Sequence, residues 1–557
     1  MKITSSDTII KSLLFEKVEF IFGYPGGAVL HIYDALFFSK IKHILVRHEQ
    51  AATHIADGYS RSSSKIGVVL TTSGPGFTNC ITGIATSLLD SSSILIICGQ
   101  VNKNLIAQNS FQEINNLGII LPISNQFFSI NCYYNIIYII KNSFNIFNFK
   151  KGPIIIDFPK NLTSSLNKNR FKFPFIKKKK NKINKNMFIF FNFSKRPIFI
   201  IGGGSVTIYV YNLILKFINN LKIPYTISIM GISGVNYRSK FFLGWIGMHG
   251  DPVANILIHY SDLLICISTR LDDRITNSIE KFSPYSKIIH IDLNNDSMSK
   301  TIKCNLFYKD DIKNYFKNYF NFNLKKNWWK KIIFFINFFK YNYKNDFFYC
   351  KPQQIIEITF FLSKGKFFIT TDVGQHQMFT AKYYFFNYKK FITSGGLGTM
   401  GFGFPSSIGI KFANKNSKIL LFTGEGSFQM MMQELSTCKQ YNINIFIINL
   451  NNQSLGMVKQ WQEINYSNRY SNSYVFSLPN FKKLINSYNF YCFNFYKIKL
   501  FYFFLKNVIY KNIFFFLNIY IDNKENVLPI QIFNKSMNEF IHFFSLKKYD
   551  KKFNFFI

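Results

Sequence analysis

Short apolar runs alternate along the chain with stretches of helical spacing, and glycine-rich turns separate them. In the C-terminal half, the run 418–423 ends in Gly424-Glu425-Gly426, residues 429–440 are typical of a helix, and a second apolar run ends in Asn451-Asn452. This pattern predicts a strand–helix–strand unit. Because such units make right-handed crossovers in parallel sheets, Glu425 and Asn452 would meet at one carboxyl edge, where α/β sheets bind ligands. Their oxygens and nearby carbonyls suit Mg²⁺, although an ordinary unit with turn residues would show the same pattern.

The alternation of strand and helix recurs in three blocks, which predicts an α/β fold of three doubly wound parallel-sheet domains. A chain of 557 residues is also too long for one hydrophobic core. We expect the domains at residues 1–165, 190–325 and 352–535, a helical connector at 325–350, and an unassigned tail at 536–557. The clearest predicted strands are 20–22, 44–46, 68–70, 94–97, 154–156, 196–201, 263–267 and 288–292.

Composition changes this picture little. The net charge of +39 would suit a nucleic-acid-binding protein, but the basic residues are spread along the chain together with 67 Phe and 32 Tyr. The codons of Lys, Asn, Ile, Phe and Tyr are all rich in A and T. Mutational bias therefore accounts for both the excess of basic residues and the excess of aromatic residues. We therefore predict no nucleic-acid partner, and we interpret the basic run 177–185 as a linker.

The chain also lacks the signals of membrane insertion and export. No apolar run approaches the roughly 18–20 residues of a membrane-spanning helix, and the N-terminus has no signal-peptide pattern. Eight cysteines are scattered without a CxxC pair, which favours reduced thiols. We expect a cytoplasmic protein without a membrane partner.

Candidate chemistry lies at the ends of the predicted strands. Glu49 sits at an apolar strand-to-helix junction, where it could share a proton with a ligand, although acids are common at helix N-termini. The turns Gly23-Tyr-Pro-Gly-Gly27 and Ser73-Gly-Pro-Gly76 would let the backbone approach a ligand. Ser394-Gly-Gly-Leu-Gly-Thr-Met-Gly-Phe-Gly403 could receive a phosphate on free N–H groups. Gly202-Gly203-Gly204 follows a strand in the middle block but does not form the GxGxxG fingerprint.

Together these motifs resemble the thiamine-diphosphate-dependent enzymes, and among them most closely the large catalytic subunits of acetolactate synthases. The similarity extends from about residue 1 to 535 and weakens after 485. Several independent motifs occur in the family's order, which makes a chance agreement implausible. The stretches that carry it are residues 23–30, Arg47-His-Glu-Gln50, 72–76, Phe111-Gln-Glu113, Asp372-Val-Gly-Gln-His-Gln-Met378, 394–403, Asn451-Asn-Gln-Ser-Leu-Gly-Met-Val458 and Gln460-Trp461.

The resemblance implies roles for individual residues. Residues 1–165 would bind the pyrimidine end of thiamine diphosphate, 190–325 would be of FAD-binding type, and 352–535 would bind the diphosphate. Glu49 would hydrogen-bond the pyrimidine and promote deprotonation of the thiazolium carbon, while Met400 would keep the cofactor bent. The other implied contacts to this cofactor are Ser91, Gln375, His376, Gly398, Gly426, Ser427 and Asn452. The implied Mg²⁺ ligands are Glu425, Asn452 and the Ser454 carbonyl.

The resemblance also implies substrates, a second cofactor and partners. Pyruvate and 2-ketobutyrate would be the substrates, FAD would have a structural role, and a small regulatory subunit could accompany a homodimer or tetramer. The active site would lie at the chain interface, where Glu49 of one chain meets the metal end of another. The implied catalytic entrance is Gly27, Phe111, Gln112 and Lys160, and the implied acceptor pocket is Arg274, Met457, Val458 and Trp461. The implied FAD contacts are Gly202, Gly203, Gly204, Gly247, Met248, His249, Arg270, Asp272, Asp273, Arg274 and Asp292.

Two departures from the family pattern keep alternatives open. Glu425 stands where the family almost always has Asp, and Ser124-Asn-Gln126 replaces a Thr-Lys-His. A pyruvate oxidase would use its flavin for redox chemistry, and a 2-keto-acid decarboxylase usually carries a His-His pair that we do not find near the end of the first block. The alternative from another functional class is a binding protein. It would be a former enzyme that has lost metal binding and that holds RNA or an anionic partner on its basic surface.

Overall fold

A computed structural model describes residues 3–167, 190, 193–206, 208–234, 237, 239–294, 299–309, 326–339, 343, 345–346 and 348–541. The basic run 177–185 and residues 542–557 of the tail lie outside this range. Among the described helices, none combines the length and apolar character needed to cross a membrane.

The first sheet comprises β2 (Phe20–Gly23), β3 (Lys42–Leu45), β4 (Gly67–Thr71), β5 (Ile94–Gln100), β6 (Gln126–Ser129) and β7 (Pro153–Pro159). These six strands are parallel and lie in the order β3-β2-β4-β5-β7-β6. All residues of β5 and β7 are buried, which explains why the inner strands are continuous apolar runs. A short antiparallel pair, β1 (Ile3–Thr4) with β8 (Leu166–Asn167), lies apart from this sheet. The helices are α1 (Ser5–Phe15), α2 (Leu30–Phe37), α3 (Glu49–Ser63), α4 (Pro75–Asn79), α5 (Ile81–Leu89), α6 (Asn116–Ile120), α7 (Ile136–Ile146) and α8 (Lys160–Thr163).

The middle sheet comprises β9 (Pro197–Ile201), β10 (Tyr225–Ile227), β11 (Phe242–Trp245), β12 (Leu263–Ile267), β13 (Lys287–Asp292) and β14 (Leu306–Lys309). Its order, β11-β10-β9-β12-β13-β14, is that of dinucleotide-binding sheets. The helices are α9 (Ile208–Leu221), α10 (Pro252–His259), α11 (Asp273–Thr276) and α12 (Lys326–Phe338), the last lying within the predicted connector.

The third sheet comprises β15 (Phe368–Thr371), β16 (Phe391–Ile392), β17 (Ile419–Thr423), β18 (Phe446–Asn451), β19 (Tyr491–Phe495) and β20 (Phe515–Tyr520). Its order, β16-β15-β17-β18-β20-β19, repeats the topology of the first sheet. The helices are α13 (Pro352–Ser363), α14 (Gln375–Tyr383), α15 (Gly403–Ala413), α16 (Glu425–Gln429), α17 (Leu435–Gln440), α18 (Gly456–Asn465), α19 (Phe481–Ser487) and α20 (Ile498–Val508). A short antiparallel pair, β21 (Ile530–Gln531) with β22 (Phe540–Ile541), follows.

The structure confirms the α/β class with three parallel sheets and corrects one predicted helix. Residues 429–440 do not form one helix, because a 3₁₀ turn at Met432–Glu434 separates α16 from α17. Met431 leaves helical geometry with φ −133°. The break places the fully buried Glu434 inside the protein.

The chain divides into two compact units. One draws on Met1–Lys178, Phe367–Gln377 and Ile392–Asn523, and holds the first and third sheets, which share a hydrophobic core. The other draws on Lys179–Lys366, Met378–Phe391 and Lys524–Ile557, and holds the middle sheet. The three domain boundaries expected from the sequence stay predictions.

Within the first unit, α3 and α15 cross at very short range. A Cβ on Gly58 would lie 2.2 Å from the Ser406 carbonyl oxygen, and one on Gly409 would lie 1.9 Å from the Ile55 carbonyl oxygen. Only glycine permits this approach of the two backbones. The helix that begins at Glu49 is therefore packed rigidly against the helix that follows Met400.

Candidate active site

Glu425 is the first residue of α16 and lies at the point where the strand order of the third sheet reverses. Its side chain is 2 % exposed, and Ser454 N–H donates to its Oε1 (2.9 Å). Burial raises the Glu425 pKa to about 7, while backbone N–H groups of residues 452–454 oppose the shift. The carboxylate thus meets the loop after β18, as the crossover pattern predicts.

Asn452 and Gln375 extend this cluster. Asn452 Oδ1 accepts from Ser454 N–H (3.1 Å), and its Nδ2 lies 3.4 Å from Gln375 Oε1. Gln375 Nε2 donates to Gln460 Oε1 (2.9 Å), and all of these side chains are buried. The loops after β15, β17 and β18 therefore converge at one carboxyl edge.

The residues at this edge fit a divalent cation with a diphosphate. A buried carboxylate, an amide oxygen and a loop carbonyl form a donor set suited to Mg²⁺, and the raised Glu425 pKa is typical of a carboxylate without a counter-charge. The Ser454 hydroxyl is buried without a hydrogen-bond partner in the described part of the chain. A Cβ on Gly426 would crowd Leu455 Cδ2 (3.1 Å) and would make ordinary contact with Met400 Cε (3.6 Å), so glycine leaves room in this cradle.

His376 and Ser427 border the same cradle. Ser427 Oγ donates to the Val373 carbonyl (3.3 Å), and a Cβ on Gly424 would lie 3.1 Å from His376 Nδ1. Burial lowers the His376 pKa to about 3, so the imidazole is neutral at pH 7. The structure thus places both predicted cofactor contacts beside Glu425.

The turn that carries Met400 is held at both ends by buried carboxylates. Asp90 Oδ1 accepts from the N–H groups of Gly395 (3.2 Å) and Gly396 (2.7 Å). Asp372 accepts from Gly403 N–H (2.6 Å) and the Thr423 hydroxyl (2.6 Å). Gly398 and Gly401 within the turn have positive φ values of 73° and 83°. Ser91, which follows Asp90, has a positive φ of 54°.

Glu49 is the first residue of α3 and is 8 % exposed. His48 caps the helix by accepting Gln50 N–H at Nδ1 (3.1 Å), and Asn79 Nδ2 donates to Glu49 Oε2 (2.9 Å). A Cβ on Gly76 would lie 3.4 Å from Glu49 Oε1. The two key carboxylates, Glu49 and Glu425, thus have different hydrogen-bond partners within one chain.

The predicted entrance residues occupy loops of the first sheet. Gly27 opens a 3₁₀ turn after β2, and Lys160 begins α8 after β7. Phe111 is 88 % exposed, and Gln112 has a positive φ of 60°. Its carbonyl would lie 2.8 Å from a Cβ on Gly74, so glycine allows these two loops to meet.

Glu113 organises the loop that carries Phe111 and Gln112. Its carboxylate accepts the N–H groups of Ala107 and Ser110. These backbone hydrogen bonds lower the Glu113 pKa.

The acceptor residues divide between the units. Met457 and Trp461 lie one turn apart on α18, where Val458 is exposed. Arg274 lies on α11 in the other unit, and its Nη1 lies 3.5 Å from Met248 Sδ.

The predicted FAD contacts surround the switch point of the middle sheet. Gly202 follows β9, and a Cβ there would lie 2.0 Å from the Ser268 carbonyl oxygen in the loop after β12. Gly247 has φ 118° and exchanges hydrogen bonds with Asn255. His249 is buried, and burial lowers its pKa to about 3. Gly203 and Gly204 lie in the turn after β9, and Asp292 lies at the end of β13. Arg270 and Asp272 lie between β12 and α11, and Asp273 is the first residue of α11.

Comparison with known proteins decides the family. Residues 3–119 match the N-terminal TPP binding domain of thiamine pyrophosphate enzymes, 186–318 their central domain, and 372–514 their C-terminal TPP binding domain. The chain is 42 % identical to the acetolactate synthase large subunit of Buchnera aphidicola subsp. Schizaphis graminum, over 96 % of this chain and 98 % of that protein. It is 41 % identical to that of Haemophilus influenzae, over 97 % and 98 %, and 38 % identical to the isozyme 3 large subunit of Escherichia coli, over 87 % and 88 %. The chain belongs to the acetolactate synthase large-subunit family. It is a thiamine-diphosphate-dependent enzyme of this type.

The structure also shows residues near the candidate site that the sequence does not single out. Gln460 is only part of a motif in the sequence, yet it holds Gln375. Asp90 and Asp372 are not among the predicted site residues, although both hold the Met400 turn. The sequence does contain one signal for such a residue, which is an acid directly after an apolar strand. Asp372, which follows β15, is an example.

The candidate site accommodates Glu425 where the family almost always has Asp. The longer side chain reaches Ser454 N–H rather than being turned away from the loop. Gly424 and Gly426 flank it and allow the turn to adjust. The substitution therefore leaves the carboxylate among the predicted metal ligands.

Proposed function

We propose that this chain decarboxylates pyruvate and joins the remaining two-carbon unit to a second 2-keto acid. Pyruvate as acceptor gives 2-acetolactate, and 2-ketobutyrate gives 2-aceto-2-hydroxybutyrate, in the first common step of branched-chain amino-acid biosynthesis. The observation that carries the proposal is the convergence of Glu425, Asn452 and Ser454 at the switch point of the third sheet, in a chain of this family.

In this proposal Glu425, Asn452 and the Ser454 carbonyl would hold Mg²⁺. Gln375, His376, Gly426 and Ser427 would line the diphosphate site. Thiamine diphosphate supplies an electron sink for the loss of CO₂. Asp90 and Asp372 hold the turn that aims Met400 into the cradle. The low pKa of His376 keeps its ring neutral there.

Glu49 would hold a proton for the pyrimidine end of the bound cofactor. Asn79 fixes one of its carboxylate oxygens, and the low exposure of Glu49 limits the access of water to this carboxylate. Gly27, Phe111, Gln112 and Lys160 line the approach of the 2-keto acid. Met457, Val458 and Trp461 contact the acceptor.

The middle sheet binds FAD in a structural role. Its strand order and the close approach of Gly202 to Ser268 support this assignment, because dinucleotides bind at such switch points. The eight cysteines are unpaired, which fits the cytoplasm.

The active site is completed by a second chain in a homodimer or tetramer. The motifs around Glu49 and Glu425 support this arrangement, because in the family that they resemble the two carboxylates of one site come from different chains. The relatives are named large subunits, which supports a small regulatory partner for this chain.

A product assay tests the reaction. The purified chain is incubated with pyruvate, thiamine diphosphate, Mg²⁺ and FAD, and acetolactate, acetaldehyde and acetate are measured separately. Acetolactate as the main product supports the proposal. Mainly acetaldehyde indicates a decarboxylase, mainly acetate an oxidase, and no turnover a relic.

Subunit complementation tests the shared site. Glu49→Gln and Glu425→Ala chains are each expected to be inactive, and the mixed, refolded pair should recover about a quarter of the wild-type specific activity. Half of the dimers would then be mixed, and each mixed dimer would hold one intact site. A mixture as inactive as its components would contradict a site shared between chains.

A further inference from the structure

The strand β3 lies at the end of the first sheet, so one of its edges has no neighbouring strand among the described residues. Side chains from the segment between β17 and β18 of the third sheet cover this edge. β3 pairs only with β2 in the described sheet, so the N–H groups on its other side need partners. Leu45 N–H donates to the Tyr441 hydroxyl (2.8 Å), and Arg47 N–H donates to Glu434 Oε1 (3.0 Å). Leu45 and Arg47 are two residues apart, as expected for groups on one edge of a strand.

Glu434 is the buried member of this contact. It is 0 % exposed, and the Thr437 hydroxyl donates to its Oε2 (2.6 Å). Each carboxylate oxygen therefore has a partner, as a buried acid requires. Burial raises the Glu434 pKa to about 7. The broken crossover between α16 and α17 is what brings this residue to β3.

The segment from Leu45 to Arg47, which makes these hydrogen bonds, is followed closely by Glu49. Arg47 is two residues before it, His48 caps the helix, and Glu49 begins α3. The Arg47 guanidinium adds a hydrogen bond to Gln440 Oε1 (2.8 Å) on α17. Farther along α3, Gly58 packs against the backbone of α15, and Gly409 on α15 packs against the backbone of α3. The start of α3 thus has little freedom to shift relative to the crossover.

We propose that Glu434 is a positioning residue that sets the orientation of Glu49 through the Arg47 backbone. Glu434 lies on the chain between the metal ligands Glu425 and Asn452. Because Glu49 and Glu425 of one chain would serve different sites of the dimer, this contact also links the two active sites. The inference rests on the proposed function for the role of Glu49.

Hydrogen exchange of the apo-protein tests the contact without any cofactor. Glu434→Ala should speed amide exchange in residues 42–54, because Arg47 N–H loses its acceptor. Glu434→Gln should restore most of the protection, since its amide oxygen can still accept. Unchanged exchange in the alanine variant would overturn the inference.

Steady-state kinetics separate positioning from stability. We expect Glu434→Ala to lower kcat about tenfold to a hundredfold with the pyruvate KM within about twofold, because a 1 Å displacement of a catalytic group can cost about a hundredfold. Glu434→Gln should recover most of kcat. Asp262→Ala is the matched control, since Asp262 accepts the N–H groups of Lys195 (2.7 Å) and Arg196 (2.9 Å) before β9 in the other unit. It should lower stability but not kcat.

Mixed dimers test whether Glu434 acts through Glu49 or through Glu425 of its own chain. In a dimer of one Glu425→Ala chain and one Glu49→Gln chain, the intact site takes Glu49 from the former and Glu425 from the latter. Adding Glu434→Ala to the chain that supplies Glu49 should remove most of the activity, and adding it to the other chain should not. An equal loss in both, or a loss only in the second, would overturn the inference. An inactive wild type would contradict the proposed function instead, while the exchange experiment would still test the contact.

Discussion

At the residue scale, the site combines buried carboxylates that have different tasks. Glu425 faces the loop after β18, Glu49 is held by Asn79, and Asp372 ties the Met400 turn to Thr423. Burial raises the pKa of Asp372 to about 6 and that of Glu425 to about 7. Of these acids, Glu425 is the one that we propose as a metal ligand. The length of its side chain should therefore affect the apparent Mg²⁺ affinity directly.

Variants of Glu425 test this role. Glu425→Asp should keep or improve the apparent Mg²⁺ affinity, because a shorter side chain in a turn flanked by two glycines can regain ideal octahedral geometry. Glu425→Ala should abolish cofactor binding, since a buried diphosphate would lack its cation. The measurement is a Mg²⁺ titration of activity at fixed thiamine diphosphate. An alanine variant with wild-type affinity would remove Glu425 from the ligands.

Trp461 on α18 provides a test of acceptor choice. Trp461→Leu should reduce the preference for 2-ketobutyrate over pyruvate by about 10–200-fold, since a contact to one methylene is worth about 1–3 kcal/mol. The two acceptors are supplied together and the product ratio is measured. Trp329→Leu, a half-buried tryptophan on α12 that packs against Phe241, is the control. Equal product ratios in both variants would place Trp461 outside the acceptor pocket.

At the element scale, the close crossing of α3 and α15 determines how these two helices pack in the first unit. The two helices carry or follow the predicted contacts Glu49 and Met400, and they approach through Gly58 and Gly409. Helical periodicity predicted that α3 exists but not that its glycine faces another backbone. A methyl group at this crossing must separate the helices.

Gly409→Ala should therefore destabilise the chain by about 1–3 kcal/mol or more, because overpacking forces backbone shifts. Gly27→Ala in the 3₁₀ turn after β2 is the control for stability. There a Cβ would have no heavy atom within 4 Å. Urea unfolding of both variants measures the difference. Equal midpoints would mean that the α3–α15 crossing can relax without cost.

At the scale of the whole molecule, the first and third sheets share one topology and the middle sheet has another. Buried acids are distributed among the sheets, and Asp157 on β7 is bonded to Asn116 Nδ2 (2.9 Å). Burial raises the Asp157 pKa to about 6. The pKa of the half-buried Asp346 shifts in the opposite direction, because the backbone N–H groups of Tyr349 and Phe348 donate to its carboxylate and lower the pKa.

These two acids should give opposite pH dependences of global stability. Because the folded-state pKa of Asp157 is raised, its contribution is present below about pH 4 and is lost as the pH rises through about 6. Relative to wild type, Asp157→Asn should therefore gain up to about 3 kcal/mol between pH 4 and 7. Asp346→Asn should lose stability relative to wild type as the pH rises toward about 4 and change little above it, because the pKa of Asp346 is lowered below its usual 3.8 and the charged form is stabilising. Unfolding curves from about pH 2 to 7 measure both slopes, that of Asp346 below about pH 4 and that of Asp157 between about pH 4 and 7. Slopes of the same sign would contradict the assignment.

The sequence alone determined the features that depend on neighbours along the chain. Buried parallel strands such as β5 and β17 are continuous apolar runs, and the glycine turns follow them, so the fold class and the convergence of Glu425 with Asn452 were predictable. The ordered motifs also indicated the family that the comparisons established.

Only the tertiary structure decided which distant side chains hold these motifs in place. Gln460 bonds Gln375 from 85 positions away, and Glu434 bonds Arg47 from 387 positions away. The predicted helix at 429–440 was wrong for the same reason. Its local propensity is helical, but the break at Met431 allows the Glu434 carboxylate to reach the open edge of β3. Such contacts depend on how two sheets pack, and no local pattern of residues specifies them.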